Sequence, residues 1–164
     1  MENIEIKTKI KTSDLFSYMI DYNYKCIRGI IVILFSLACF AGVIIYWKEF
    51  EISRRILLLF IGMVFVVFAP IEYYIRSMRQ CKKNFNSEYN YIFNNDGIDI
   101  SVEDKNTVLE WNRIFKVKST RDQIFLYTSN VNAIILPKRD IGDKFLALKE
   151  MIEKNTDCFY CKIK

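Results

Sequence analysis

Hydrophobic and polar positions follow three different patterns along this chain. From Gly29 to Trp47 the run GIIVILFSLACFAGVIIYW carries no charge, and from Ile56 to Ile75 the run ILLLFIGMVFVVFAPIEYYI carries only Glu72, in its last turn. At a helical rise of about 1.5 Å per residue each run is roughly 28–30 Å long, the thickness of a bilayer's hydrocarbon core. The pattern predicts transmembrane helices over 29–47 and 56–75, joined by the polar stretch KEFEISRR into an antiparallel hairpin. The competing explanation, two helices buried in a soluble core, leaves a small domain without polar helix faces. Tyr22, Tyr24, Tyr46, Trp47, Tyr73 and Tyr74 stand at the ends of the runs, where amphipathic rings favour the interface. Pro70 removes a backbone donor and predicts a kink in the second helix.

The second pattern has period two. Ile4 to Ile10 reads I-E-I-K-T-K-I, a half-buried strand with no neighbour to pair with. A lone strand is unstable, so it should join a sheet formed by the residues after the hairpin, which places both on one side of the membrane. Beyond Ser87 the alternation returns. Tyr89 to Asn94 predicts a strand, Asn95-Asp96-Gly97 a tight turn with positive φ, and Ile98, Ile100 and Val102 the returning strand. After a turn over Glu103 to Asn106, the spacing of Leu109, Trp111, Ile114 and Val117 slips by one residue near Asn112 and Arg113, which predicts a bulge or bend. Gln123 to Thr128 and Asn132 to Leu136 predict two further strands, ended by Pro137.

The third pattern is helical. Thr12, Ser13 and Asp14 are N-cap residue types ahead of Leu15 and Phe16, so a helix should start there and run toward Gly29. Asp140 is an expected N-cap for a closing helix with Ile141, Phe145, Leu148 and Ile152 on one face. The chain therefore reads as an α+β membrane protein with three parts. Residues 1–28 form an N-terminal strand and amphipathic helix, 29–75 the transmembrane hairpin, and 76–164 a small antiparallel β domain closed by a C-terminal helix.

Charge orients this arrangement. Lys25, Arg28, Arg76, Arg79, Lys82 and Lys83 flank the hairpin on its outer side, six residues against Lys48, Arg54 and Arg55 in the loop, so both termini are expected in the cytoplasm. Acidic residues ahead of the first run and the lack of a small-residue cleavage site argue against a cleaved signal peptide. The net charge of +5 is modest and not gathered in a basic arm, which disfavours nucleic acid as a partner. No histidine is present, which removes Ser-His-Asp and Cys-His catalysis and His-containing zinc sites.

The order FNNDGIDI, then LEWNRIFKVKSTRDQIFLY, then AIILPKR and a closing helix, placed after a membrane hairpin, resembles the YcxB-like family of small bacterial membrane proteins. The matching positions are Gly97, Trp111, Ile114, Val117, Phe125, Leu136, Pro137, Lys138 and Arg139. The resemblance implies a bacterial cytoplasmic-membrane protein whose C-terminal domain is pleckstrin-homology-like (PH-like). It supplies no catalytic residues, and fold similarity does not carry over phosphoinositide binding.

Candidate chemistry is sparse. Cys158 and Cys161 have redox or metal spacing, but the remaining cysteines are unpaired and the motif trails the last helix, so free thiols are the simpler reading. Trp111 is expected as a core anchor. Arg76, Arg79 and Lys83 share a helix face, with Lys82 beside them, and Lys138 and Arg139 precede a helix start. These six are the candidate contacts for anionic lipid or an acidic partner; the simpler readings are that the first four only fix topology and that Lys138 and Arg139 lie in a solvated turn. No catalytic, cofactor or metal residues are expected. The function expected is a membrane-anchored, non-enzymatic binding or regulatory module, whose partners are the lipid bilayer and a membrane or cytoplasmic protein. The alternative is a structural, immunity or transporter-accessory subunit acting through its helices.

Overall fold

A computed structural model describes residues 3–24, 27–103, 105–156 and 161–162. It divides into two compact units, Met1–Asp14 with Cys81–Lys164, and Leu15–Gln80.

The first unit holds two sheets. In one, β1 (Ile4–Thr8), β2 (Tyr89–Phe93), β3 (Gly97–Val102) and β4 (Lys105–Glu110) lie in sequence order, all antiparallel. The unpaired strand read from I-E-I-K-T thus finds its partner in β2, with Ile4 opposite Phe93 and Thr8 opposite Tyr89. Its strict alternation buries Ile4, Ile6 and Thr8 and turns Glu5 and Lys7 outward. In the other sheet β6 (Gln123–Tyr127) lies between β7 (Ala133–Pro137) and β5 (Lys116–Ser119), antiparallel to both, and the two-residue β8 (Cys161–Lys162) pairs with β5 in parallel.

The slip in alternation near Asn112 marks the passage between sheets. Trp111–Arg113 forms a single 3₁₀ turn in which Ile114 N–H bonds Trp111 C=O at 3.0 Å, and the chain leaves β4 to start β5. Trp111 is 6% exposed, its Nε1 donates to Asn94 C=O at 2.9 Å, and it extends a row of rings formed by Tyr89, Tyr91 and Phe93. The expected positive φ in the β2–β3 turn is absent. Among the described residues only Glu103 and Gly142 have it. Asn94 closes the turn instead, its Oδ1 accepting from Asp96 N–H at 3.0 Å and Gly97 N–H at 2.8 Å. Gly97 is required by crowding, since a Cβ there would lie 2.4 Å from Leu109 C=O.

The closing helix is broken. α5 (Lys138–Ile141) stops at Gly142, whose φ of 55° suits glycine, and α6 (Phe145–Asn155) follows a 3₁₀ turn. Asp140 is not its N-cap. Its carboxylate accepts from Thr8 Oγ1 on β1, because β1 runs beside α5. Ile141, Leu148, Met151 and Ile152 join Ile4, Ile6, Phe93, Ile98, Val117, Ile124, Leu126 and Leu136 in one apolar core that both sheets share.

The second unit is helical. α1 (Thr12–Tyr24), which begins in the first unit, and the helix from Gly29 meet at 77°; α2 spans Ile27–Ile45. After the turn at 46–51, where Arg55 donates to Phe50 C=O at 2.8 Å and lies over the Trp47 ring, one helix runs from Ile52 to Asn84. It comprises α3 (Ile52–Met63), a π turn (Val64–Phe68) and α4 (Ala69–Asn84). Both helices are offset from the expected 29–47 and 56–75. Pro70 acts through that π turn: Ala69 N–H reaches back five residues to Val64 C=O, just before the residue that has no N–H to give. Ser36, Cys39 and Val43 are buried along one face of α2, and Gly62 of α3 lies against the Phe40 ring.

Candidate functional site

Asp14 organises the polar interior of the β unit. It is the third residue of α1, and its Oδ2 accepts from Lys11 N–H at 2.8 Å, the returning half of a capping box. Arg139 donates twice to the same carboxylate, Nη1 to Oδ1 at 2.8 Å and Nη2 to Oδ2 at 2.6 Å, and Gln123 Nε2 donates to Oδ1 at 3.1 Å. Burial alone would raise the Asp14 carboxyl, but the Arg139 hydrogen bonds, the Lys11 N–H, the guanidinium charge and Gln123 together hold it below the usual carboxylate range. The Asp14 hydrogen bond pushes Arg139 upward in turn. Asp140 Oδ1 lies 3.5 Å from Arg139 Nε, so both sides of the guanidinium face carboxylates.

Of the six cations expected at a site, four follow one another along α4. Arg76, Arg79, Lys82 and Lys83 are exposed, and at 100° per residue they fall on the face opposite buried Ser77. Lys138 and Arg139 are engaged elsewhere, Lys138 Nζ lying 5.0 Å from the centre of the Phe145 ring and Arg139 on Asp14. Arg139 therefore ties elements together, an assignment that the run of basic residues after Pro137 does not disclose.

Within the β unit, the segment after β1 and the end of α4 border a cleft of about 380 Å³. Lys9, Lys11 and Lys82 line it with Ile10, Cys81 and Phe85, and Cys81 Sγ donates to Ile10 C=O at 3.2 Å. Lys9 and Lys11 were not singled out from sequence; the signal available was a cation at every second position from Lys7. Cys158 lies outside the described residues, as does the side chain of Cys161. Among the described residues no group of His, Cys, Asp and Glu could hold a metal ion.

Two antiparallel-built sheets packed under a C-terminal helix, entered by a turn at Gly97 and cornered at Trp111, define an α+β domain. The family model described as YcxB-like protein matches residues 93–154 of it. No curated protein and no solved structure matches the chain.

Proposed function

We propose that this protein is a membrane-anchored, non-enzymatic binding or regulatory module, in which a two-helix hairpin crosses the bilayer and a PH-like domain works at its surface. The observation that carries this is the exposure of the apolar helices. The helix Ile52–Asn84 contains an 18-residue window of mean hydropathy 2.4 that is only 6% buried. The core helix of a soluble protein buries such a face; here Ile56, Leu57, Phe60, Val67, Phe68 and Ile71 are each at least 42% exposed. The first apolar helix is equally bare, with Ile31, Leu34 and Phe35 more than half exposed.

Strand pairing supports an even number of crossings. β1 precedes the apolar segment and β2 follows it, and their hydrogen bonds require both ends of that segment on one side of a membrane. The excess of Lys and Arg in the same flanks supports the cytoplasmic side of a bacterial cell membrane. The two sheets and closing helix support the PH-like description, and the exposed cations of α4 suit a surface bearing anionic lipids, each contributing about 1 kcal/mol there.

Alkaline carbonate extraction of membranes containing the full-length chain tests the anchoring. Retention in the pellet is expected, and release to the supernatant would sink the proposal. Replacing both apolar helices by unrelated apolar sequences separates the module from the alternative of an accessory subunit: the module keeps its function, and a subunit acting through its helices loses it.

A further inference from the structure

We propose that the cleft bordered by Lys9, Lys11 and Lys82 is a receptor for one anionic phospholipid, with the phosphate among the three ammonium groups and the glycerol and first acyl carbons against Phe85. The inference rests on the membrane reading above and assigns it a ligand.

Several cations of the β unit are matched inside the chain. Arg139 is held by Asp14, Lys7 lies 3.6 Å from Glu5, Lys144 donates to Glu5 C=O, and Lys149 lies 3.8 Å from Glu153. Lys9, Lys11 and Lys82 line a single cleft: among the described residues none of them forms an ion pair, and no carboxylate lines the cleft. Asp14, the nearest acid in sequence, is turned inward, 4% exposed and neutralised by Arg139. Three like charges around one cavity repel each other until an anion enters.

The shape favours an amphiphile over free phosphate. Phe85, half-buried, gives the cleft an apolar wall that a small hydrophilic anion does not use, and about 380 Å³ suits a headgroup but not two acyl chains. The location fits as well. Lys82 stands one turn beyond Met78, an exposed apolar residue of the same helix, on the stretch that Arg76 and Arg79 already make basic.

The test uses the full-length chain in a neutral detergent, with native mass spectrometry counting retained phosphatidylglycerol. Wild type is expected to keep one lipid through delipidation. The variant K9Q/K11Q/K82Q should lower retention about tenfold or more, while K105Q/R113Q/R121Q, with the same loss of charge at exposed positions outside the cleft, should retain it as wild type does. Equal retention by all three proteins overturns the proposal, as does equal loss in both variants, which would mark a diffuse surface charge. Binding of glycerol 3-phosphate or inorganic phosphate as strong as that of the lipid would overturn the lipid assignment in favour of a soluble phosphate. These outcomes are separate from the membrane reading, which fails only if the chain is released by carbonate.

Discussion

Arg139 grips Asp14 through two parallel hydrogen bonds of 2.8 and 2.6 Å, joining residues 125 positions apart. The contact ties the first turn of α1 to the start of α5, and Gln123 adds β6 to the same carboxylate. A bidentate guanidinium pair fixes direction as well as distance, so the Asp14 carboxylate is held in one orientation against α5.

Removing one partner should cost more than removing both. Arg139→Ala leaves a buried carboxylate unpaired, a loss of about 3–5 kcal/mol in fully buried pairs. Because the Arg139 side chain is 39% exposed, water compensates in part, and about 1–2 kcal/mol is expected. In urea titrations of the chain in detergent, D14N/R139A should be less destabilised than the sum of its parts. Additive losses would show that the pair is uncoupled.

Acid should weaken the β unit through the same carboxylate. The folded-state pKa of Asp14 is lowered, so its contribution is fully present above the unfolded value of 3.8 and is lost as pH falls through the depressed folded value. Stability should therefore fall below about pH 4, and Asp14→Asn should flatten that part of the profile while lowering the neutral plateau. Parallel profiles for the two proteins would remove Asp14 from the acid response.

Two glycines should respond in opposite ways to a methyl group. Gly97→Ala drives a Cβ to 2.4 Å from the Leu109 carbonyl and should cost about 1–3 kcal/mol by forcing β3 from β4. At Gly42 nothing lies within 4 Å of the added carbon, so alanine there should be neutral or stabilise α2 by up to about 1 kcal/mol. Hydrogen exchange at the β3 and β4 amides distinguishes the two: fast exchange in the first variant, unchanged in the second.

If the proposed hairpin lies in lipid, the two tryptophans should report on different media. Trp47, at the hairpin turn, is 55% exposed, whereas Trp111 is 6% exposed inside the β unit. In vesicles carrying brominated acyl chains, W111F should be quenched strongly through Trp47, and W47F should remain bright. Equal quenching would contradict the placement of the hairpin in lipid.

Alternation made β1 legible because it buries a single face, whereas β6 is buried at every position and showed itself by its apolar run. What alternation does not carry is the identity of the sheet: the slip at Asn112 was visible as a bend, but only the pairing of β5 with β6 shows that the chain changes sheets there. The β2–β3 turn was placed correctly but by the wrong physics, since the side chain of Asn94 supplies what positive φ was expected to supply. Asp14 was visible as a capping type and Arg139 as a cation after a proline. Their partnership depends on tertiary closure over most of the chain, which no local pattern encodes.

β1 imposes an order on synthesis. It leaves the ribosome first, yet the strand it pairs with begins at Tyr89, after every apolar helix has emerged. Until then Ile4 and Ile6 have no sheet to lie on, and the nascent segment must wait unpaired while the helices are synthesised. A fragment starting at Cys81 would contain the whole matched family region and still lack the edge strand of its first sheet, so soluble versions of this domain need Ile4–Thr8 returned to them, in trans or by a linker.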